Sequence, residues 1–97
     1  MKRLTLILSD QAETDLVDIW VYIAEDSPDV ADAFIERLYQ KCQLLADNPE
    51  LGRRRPELGA GLRSFPFRRY MIYYRAKQHS LEIARILSAY RDLDSFF

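Results

Sequence analysis

Arg69-Tyr70-Met71-Ile72-Tyr73-Tyr74-Arg75-Ala76-Lys77-Gln78-His79-Ser80-Leu81-Glu82-Ile83-Ala84-Arg85-Ile86-Leu87-Ser88 is the stretch on which the fold turns. Arg69 to Arg75 is rich in Tyr, Ile and Met, residues that suit a pleated, half-buried surface, and reads as a strand. Tyr70, Ile72 and Tyr74 share one face; Met71, Tyr73 and Arg75 share the other. Ala76 to Ser80 is a polar turn. Leu81 to Ser88 reads as the last strand, with Leu81, Ile83, Arg85 and Leu87 on one side and Glu82, Ala84 and Ile86 on the other. Two strands joined by a short turn form an antiparallel pair.

Upstream, Leu62 to Phe65 reads as a short strand ended by Pro66, which marks a sheet edge or a bulge. Residues 50–61 hold Gly52, Gly59, Gly61 and Pro56 and read as a loop carrying Arg53, Arg54 and Arg55. Before it, Ala12, Leu16, Ile19, Trp20 and Ile23 fall on one helical stripe, which places Trp20 in the core. Glu13, Thr14, Asp15 and Asp18 are assigned to the wet outer face. Ala31, Phe34, Ile35, Leu38, Cys42 and Leu45 form a second stripe, closed by Asn48-Pro49. Ser9 and Ser27 are suited to cap the two helices, Pro28 fits a first turn, and so short a break forces an antiparallel hairpin. Leu4 to Leu8 is a near-continuous apolar run, the pattern of a strand covered on both faces. The order is β-α-α-β-β-β: an α+β fold with the hairpin on one face of a small, mainly antiparallel sheet. The other face, bearing aromatics and arginines, is left uncovered and has the look of a binding groove.

The 97 residues fit a single domain, 1–97. One Cys and one His exclude a disulfide framework and the usual zinc sites; no metal or cofactor is expected. Cys42 lies on the apolar stripe and reads as core, and His79 as an exposed turn residue. No apolar run approaches the ~18 residues of a membrane span. Acidic Asp10 follows the apolar start at once, which does not suit a signal peptide, so a cytoplasmic protein is the default. Residues 1–50 carry 4 basic and 11 acidic side chains, net −7; residues 51–97 carry 10 and 4, net +6. Such a split suits either two surfaces with different partners or mutual compensation.

Several stretches resemble the ParE/RelE superfamily of type II toxins, and ParE most closely. They are Leu16-x-x-Ile19-x-x-Tyr22-Ile23-Ala24, Ala33-Phe34 through Leu38, Leu45-Ala46-x-Asn48-Pro49-x-x-Gly52-Arg53-x-Arg55-x-Glu57-Leu58, Gly61-Leu62-Arg63-Ser64-Phe65-Pro66, Tyr70-x-Ile72-x-Tyr74-Arg75, and Glu82-Ile83-x-Arg85-Ile86-Leu87-x-x-x-Arg91-Asp92. They cover nearly the whole chain in order. Where members often carry His-Gly after the last strand, this chain has Ser88-Ala89, then Tyr90. The resemblance implies a toxin neutralised by the flexible C-terminal segment of a cognate antitoxin. ParE-like members block DNA gyrase; RelE-like members cleave messenger RNA on the ribosome.

A ribonuclease reading would use Arg63, Arg85 and Tyr90, but Arg and Tyr normally hold their protons at neutral pH and make poor bases. An isoelectric point near 5.8 argues against direct nucleic-acid binding. Both points favour a gyrase-directed protein inhibitor; a non-toxic interaction module of the same fold is the third reading. Candidate target- or antitoxin-binding residues are Arg53, Arg55, Arg63, Tyr73, Arg75, Arg85 and Arg91. Arg53 to Arg55 either meet an acidic partner or phosphate, or are solvated or paired with the hairpin's carboxylates. Arg63 and Arg85 either line the groove or pair with a carboxylate such as Glu57; an unpaired charge on an apolar strand face would be costly. Phe96 and Phe97 either dock on the sheet or await a partner.

Overall fold

A computed structural model describes residues 3–90, 93, 96 and 97. The elements are β1 (Thr5–Leu8), α1 (Asp10–Ala24), α2 (Pro28–Asp47), β2 (Arg53–Arg54), β3 (Leu62–Phe67), β4 (Tyr70–Ala76) and β5 (Ser80–Ser88). They form one five-stranded sheet in the order β1-β5-β4-β3-β2. Only β1 and β5 run parallel; the other pairs are antiparallel. The helical hairpin packs on one face. Ser9 Oγ accepts from the Ala12 N–H and Ser27 Oγ from the Val30 N–H, so both helices begin at the serines that cap them. Ile72, Tyr74, Leu81, Ile83 and Ile86 of the sheet meet Ala12, Ile19, Leu38, Cys42, Leu45 and Ala46 of the hairpin, all nearly or wholly buried. Phe34 adds edge-on ring contacts to Phe67 and Tyr70.

Pro66 does not end β3, which stays paired with β4 through Phe67, and five further details depart from the sequence reading. The loop at 50–61 contains a two-residue strand: Arg53 pairs with Ser64 and Arg54 with Arg63. β1 is an edge strand rather than one covered on both faces; Leu4, Leu6 and Leu8 turn inward while Ile7 stays exposed. Trp20 is also on the outside, 37% exposed, with its indole N–H donating to Asp32 Oδ1 at 2.7 Å. Asp15, by contrast, is buried. Position 15 lies three residues after Ala12 and four before Ile19, so the helical period turns it inward whatever its polarity.

The fifth departure decides the site. Tyr73 pairs with Arg85 and Tyr74 with Ile83, so Ala84 is an extra residue, a β-bulge in β5. The bulge reverses the alternation. Leu81 and Ile83 before it, and Ile86 after it, all face the helices, whereas Arg85 and Leu87 point to the opposite face. The bulge falls where β1 stops. There Ser9 donates its N–H to the Ile83 carbonyl at 3.0 Å and its hydroxyl to the Ala84 carbonyl at 2.8 Å, and the chain leaves the sheet as α1.

Candidate functional site

The strand registers place Arg53, Ser64, Tyr73 and Arg85 in single file across β2, β3, β4 and β5 on the face turned away from the helices. A second file, Leu62, Arg75 and Glu82, runs beside it. This face is not bare, as the alternation alone implied. Phe96 and Phe97 lie against it: the Phe97 ring meets Tyr73 edge-on at 5.0 Å, and the Phe96 ring lies 4.9 Å from the Arg85 guanidinium carbon. The Phe96 and Phe97 N–H groups both donate to the Leu93 carbonyl. Tyr73 is thereby left only 2% exposed.

Arg85 is held at the rim of the face. Its Nε and Nη2 donate to the two oxygens of Asp15 at 2.9 and 2.8 Å, a bidentate pair. Asp15 Oδ2 also accepts the Ile86 N–H at 2.9 Å. That amide faces the side of β5 where β1 has ended, so the carboxylate replaces a missing strand partner while fixing the guanidinium. The pair raises the proton affinity of Arg85 above its ordinary value. Arg55, half-buried, donates from Nε to Glu57 at 2.7 Å and from Nη1 to Ser64 Oγ at 3.2 Å. The Arg55 hydrogen bond holds the exposed Glu57 carboxyl below the usual carboxylate range. Burial raises the Tyr73 hydroxyl, and the Arg55 charge opposes it only in part. Arg75 Nε donates to the Ala60 carbonyl at 2.9 Å. Arg53 is exposed at the end of the file.

Arg63 belongs to the opposite face, opposite Tyr74 in register. Its Nη1 donates to the Gly52 carbonyl at 2.8 Å, and Tyr74 Oη takes the Gly52 N–H at 2.7 Å while donating to the Pro49 carbonyl at 2.8 Å. These bonds tie the segment after α2 to the sheet. Tyr90 lies past the end of β5, 86% exposed, beside an outer cleft lined also by Asp18, Tyr22 and Arg69. Arg63, Arg85 and Tyr90 are thus not gathered round one point. Arg85 takes Asp15, and not Glu57, as its carboxylate. Arg91 lies outside the described residues.

The profile of a known family, described as the ParE toxin of the type II toxin–antitoxin system parDE, matches residues 6–93. The chain belongs to the ParE toxin family. A solved structure described as "Chromosomal ParDE TA system from P. aeruginosa" is similar in fold, with a TM-score of 0.74 at 21% sequence identity, covering 89% of this chain and 96% of that one. No curated protein matches the sequence significantly. In this ParE-family chain the matched span takes in both helices, β2 to β5 and β1 from Leu6 on, hence the whole arginine file. No helix among the described residues is long and apolar enough to cross a membrane, and none of their His, Cys, Asp and Glu side chains group into a candidate metal site. Asp15 is the site residue that sequence reading missed. Its polarity argued for solvent, while its helical phase, the signal that finds it, argued for the interior.

Proposed function

We propose that this ParE-family toxin inhibits DNA gyrase by binding it through the sheet face turned away from the helices, displacing Phe96 and Phe97, and that a cognate antitoxin neutralises it by laying its C-terminal segment along that face. The supporting observation is the file of Arg53, Ser64, Tyr73 and Arg85 flanked by Arg55 and Arg75: guanidinium groups around one aromatic ring, with Arg53 exposed and Tyr73 reached once Phe97 is displaced. Such a surface recognises carboxylates and apolar side chains of another polypeptide. It is poorly equipped for proton transfer. Asp15 and Glu57 are both spent on arginines, Glu57 is a weaker base than a free carboxylate, and Tyr73 and Arg85 both hold their protons more tightly than usual. A metal-independent ribonuclease needs a group that takes a proton near neutrality.

Supercoiling by purified gyrase, titrated with the purified chain, tests the reading. Inhibition or trapped DNA cleavage at micromolar protein is expected, and it should weaken at least fivefold in Arg53→Glu, whose side chain is exposed. Cleavage of messenger RNA in a translating extract, with gyrase unaffected, would overturn the reading in favour of ribosome-dependent ribonuclease action. Inertness in both assays, with growth unaffected by expression, would leave a non-toxic binding module.

A further inference from the structure

Away from the open face, the helical hairpin and the β3–β4 turn enclose a second cleft, of about 550 Å³. Its walls are apolar: Tyr22, Ile23, Val30, Phe34 and Tyr70 line it. Its cations are Arg37 from α2 and Arg68 and Arg69 from the turn. No Asp or Glu lines it, although the hairpin around it is strongly acidic. The three arginines are exposed, and among the described residues none has an ion-pair partner. The turn itself works against its own composition. Phe67 pairs with Tyr70, leaving a two-residue connection in which Arg68 sits at φ 57°, a left-handed conformation suited to Gly or Asn. An arginine there carries a conformational cost that an uncharged turn residue would avoid.

We propose that this cleft docks an acidic polypeptide segment carrying one large apolar side chain, which fills the cavity while flanking carboxylates meet Arg37, Arg68 and Arg69. Charge complementarity selects the partner. Three clustered guanidinium groups with no internal carboxylate match two or three acidic side chains, each able to form a charge-assisted hydrogen bond. The apolar walls ask for a hydrophobic anchor at the centre. A nucleic acid is disfavoured, because its phosphates would continue past the arginines onto the acidic hairpin, where Asp18 lines the adjoining cleft. The site is separate from the open face, and its proposal does not rest on gyrase as the target.

A fluorescein-labelled, end-blocked hexapeptide, Glu-Asp-Leu-Phe-Glu-Glu, is the probe, read by fluorescence anisotropy on the full chain. Its control is the same peptide with Gln and Asn replacing the acids. Saturable binding of the acidic peptide is expected, weakened about tenfold or more in the control and in Arg37→Ala/Arg68→Asn/Arg69→Ala, and weakened also in Tyr22→Ala. Arg68→Asn alone keeps a residue that tolerates the left-handed backbone, so it should match or exceed the native melting temperature while still binding less well. Equal affinity for the neutral peptide, indifference to the triple substitution, or tighter arginine-dependent binding of a 12-nucleotide single strand would each overturn the proposal. The triple variant should still inhibit gyrase as the native chain does, so failure here and failure of the proposed function are told apart.

Discussion

Asp15 and Arg85, 70 residues apart in sequence, close a two-pronged ion pair at 2.8 and 2.9 Å while the same carboxylate caps the Ile86 amide of β5. One side chain thus serves the edge of the sheet and the open face together. Removing the carboxylate strands a part-buried guanidinium and a buried N–H. Asp15→Ala is expected to cost about 3–5 kcal/mol in urea unfolding. Adding Arg85→Met to it should recover part of the loss, since the charge is then no longer stranded. A double variant less stable than Asp15→Ala would show that the pair is not what Asp15 supports.

Gly52 and Tyr74 make a second dependent pair. A Cβ at position 52 would lie 2.6 and 2.8 Å from Tyr74 ring carbons, closer than packed atoms approach. Gly52→Ala should destabilise by about 1–3 kcal/mol through overpacking. Tyr74→Phe should cost a similar ~1–3 kcal/mol for a different reason, because the Gly52 N–H and Pro49 carbonyl lose their partner. In the double-mutant cycle the two costs should fall short of additive.

Alkaline pH offers a third test. Burial pushes the Cys42 thiol up to about 12 from an ordinary 9.0. Below pH 9 both folded and unfolded chains keep this proton. Above it the unfolded chain ionises first, so stability falls as pH rises, until the folded thiol also titrates near 12. The loss should reach about 1 kcal/mol by pH 10, at roughly 1.4 kcal/mol per pH unit once fully developed. Burial raises Tyr70, Tyr73 and Tyr74 as well, which adds loss of the same sign above their ordinary value of 10.0. Cys42→Ala should lose less stability between pH 9 and 10 than the native chain, measured by denaturant midpoints.

The tail contacts predict a trade between stability and access. Removing Phe96 and Phe97 uncovers Tyr73 and takes a ring from Arg85. Truncation after residue 95 should lower stability by about 1–2 kcal/mol. It should also raise the association rate of any partner that docks on the arginine file, read by stopped-flow mixing. An unchanged rate would place that partner elsewhere on the molecule.

The stripes in α1 and α2, their Ser caps, the Asn48-Pro49 stop and the alternation in β4 were all legible in sequence, because each depends on residues within a turn or two of one another. The two-residue β2 was hidden in a loop, since its pairing partners lie further along the chain in β3 and so short a strand leaves no periodicity of its own. Trp20 was misplaced because its spacing put it on the apolar stripe of α1, whereas its indole reaches a carboxylate on the neighbouring helix. Of the site, Arg53, Arg55, Tyr73, Arg75 and Arg85 were named from sequence, but the file of Arg53, Tyr73 and Arg85, with Arg55 and Arg75 beside it, was not.

Sequence by itself determined the order of every element but β2, together with the helical hairpin, the antiparallel meander and the family pattern, through periodicity, capping and turn chemistry. Tertiary structure alone decided which arginines share a surface. The bulge at Ala84 answers the end of β1 and the start of α1, a long-range constraint that shifts every later side chain of β5 to the other face. By that one-residue shift Arg85 joins Tyr73 and Arg53 instead of facing the helices, while Arg63, equally basic in the sequence, is used to hold the backbone around Gly52.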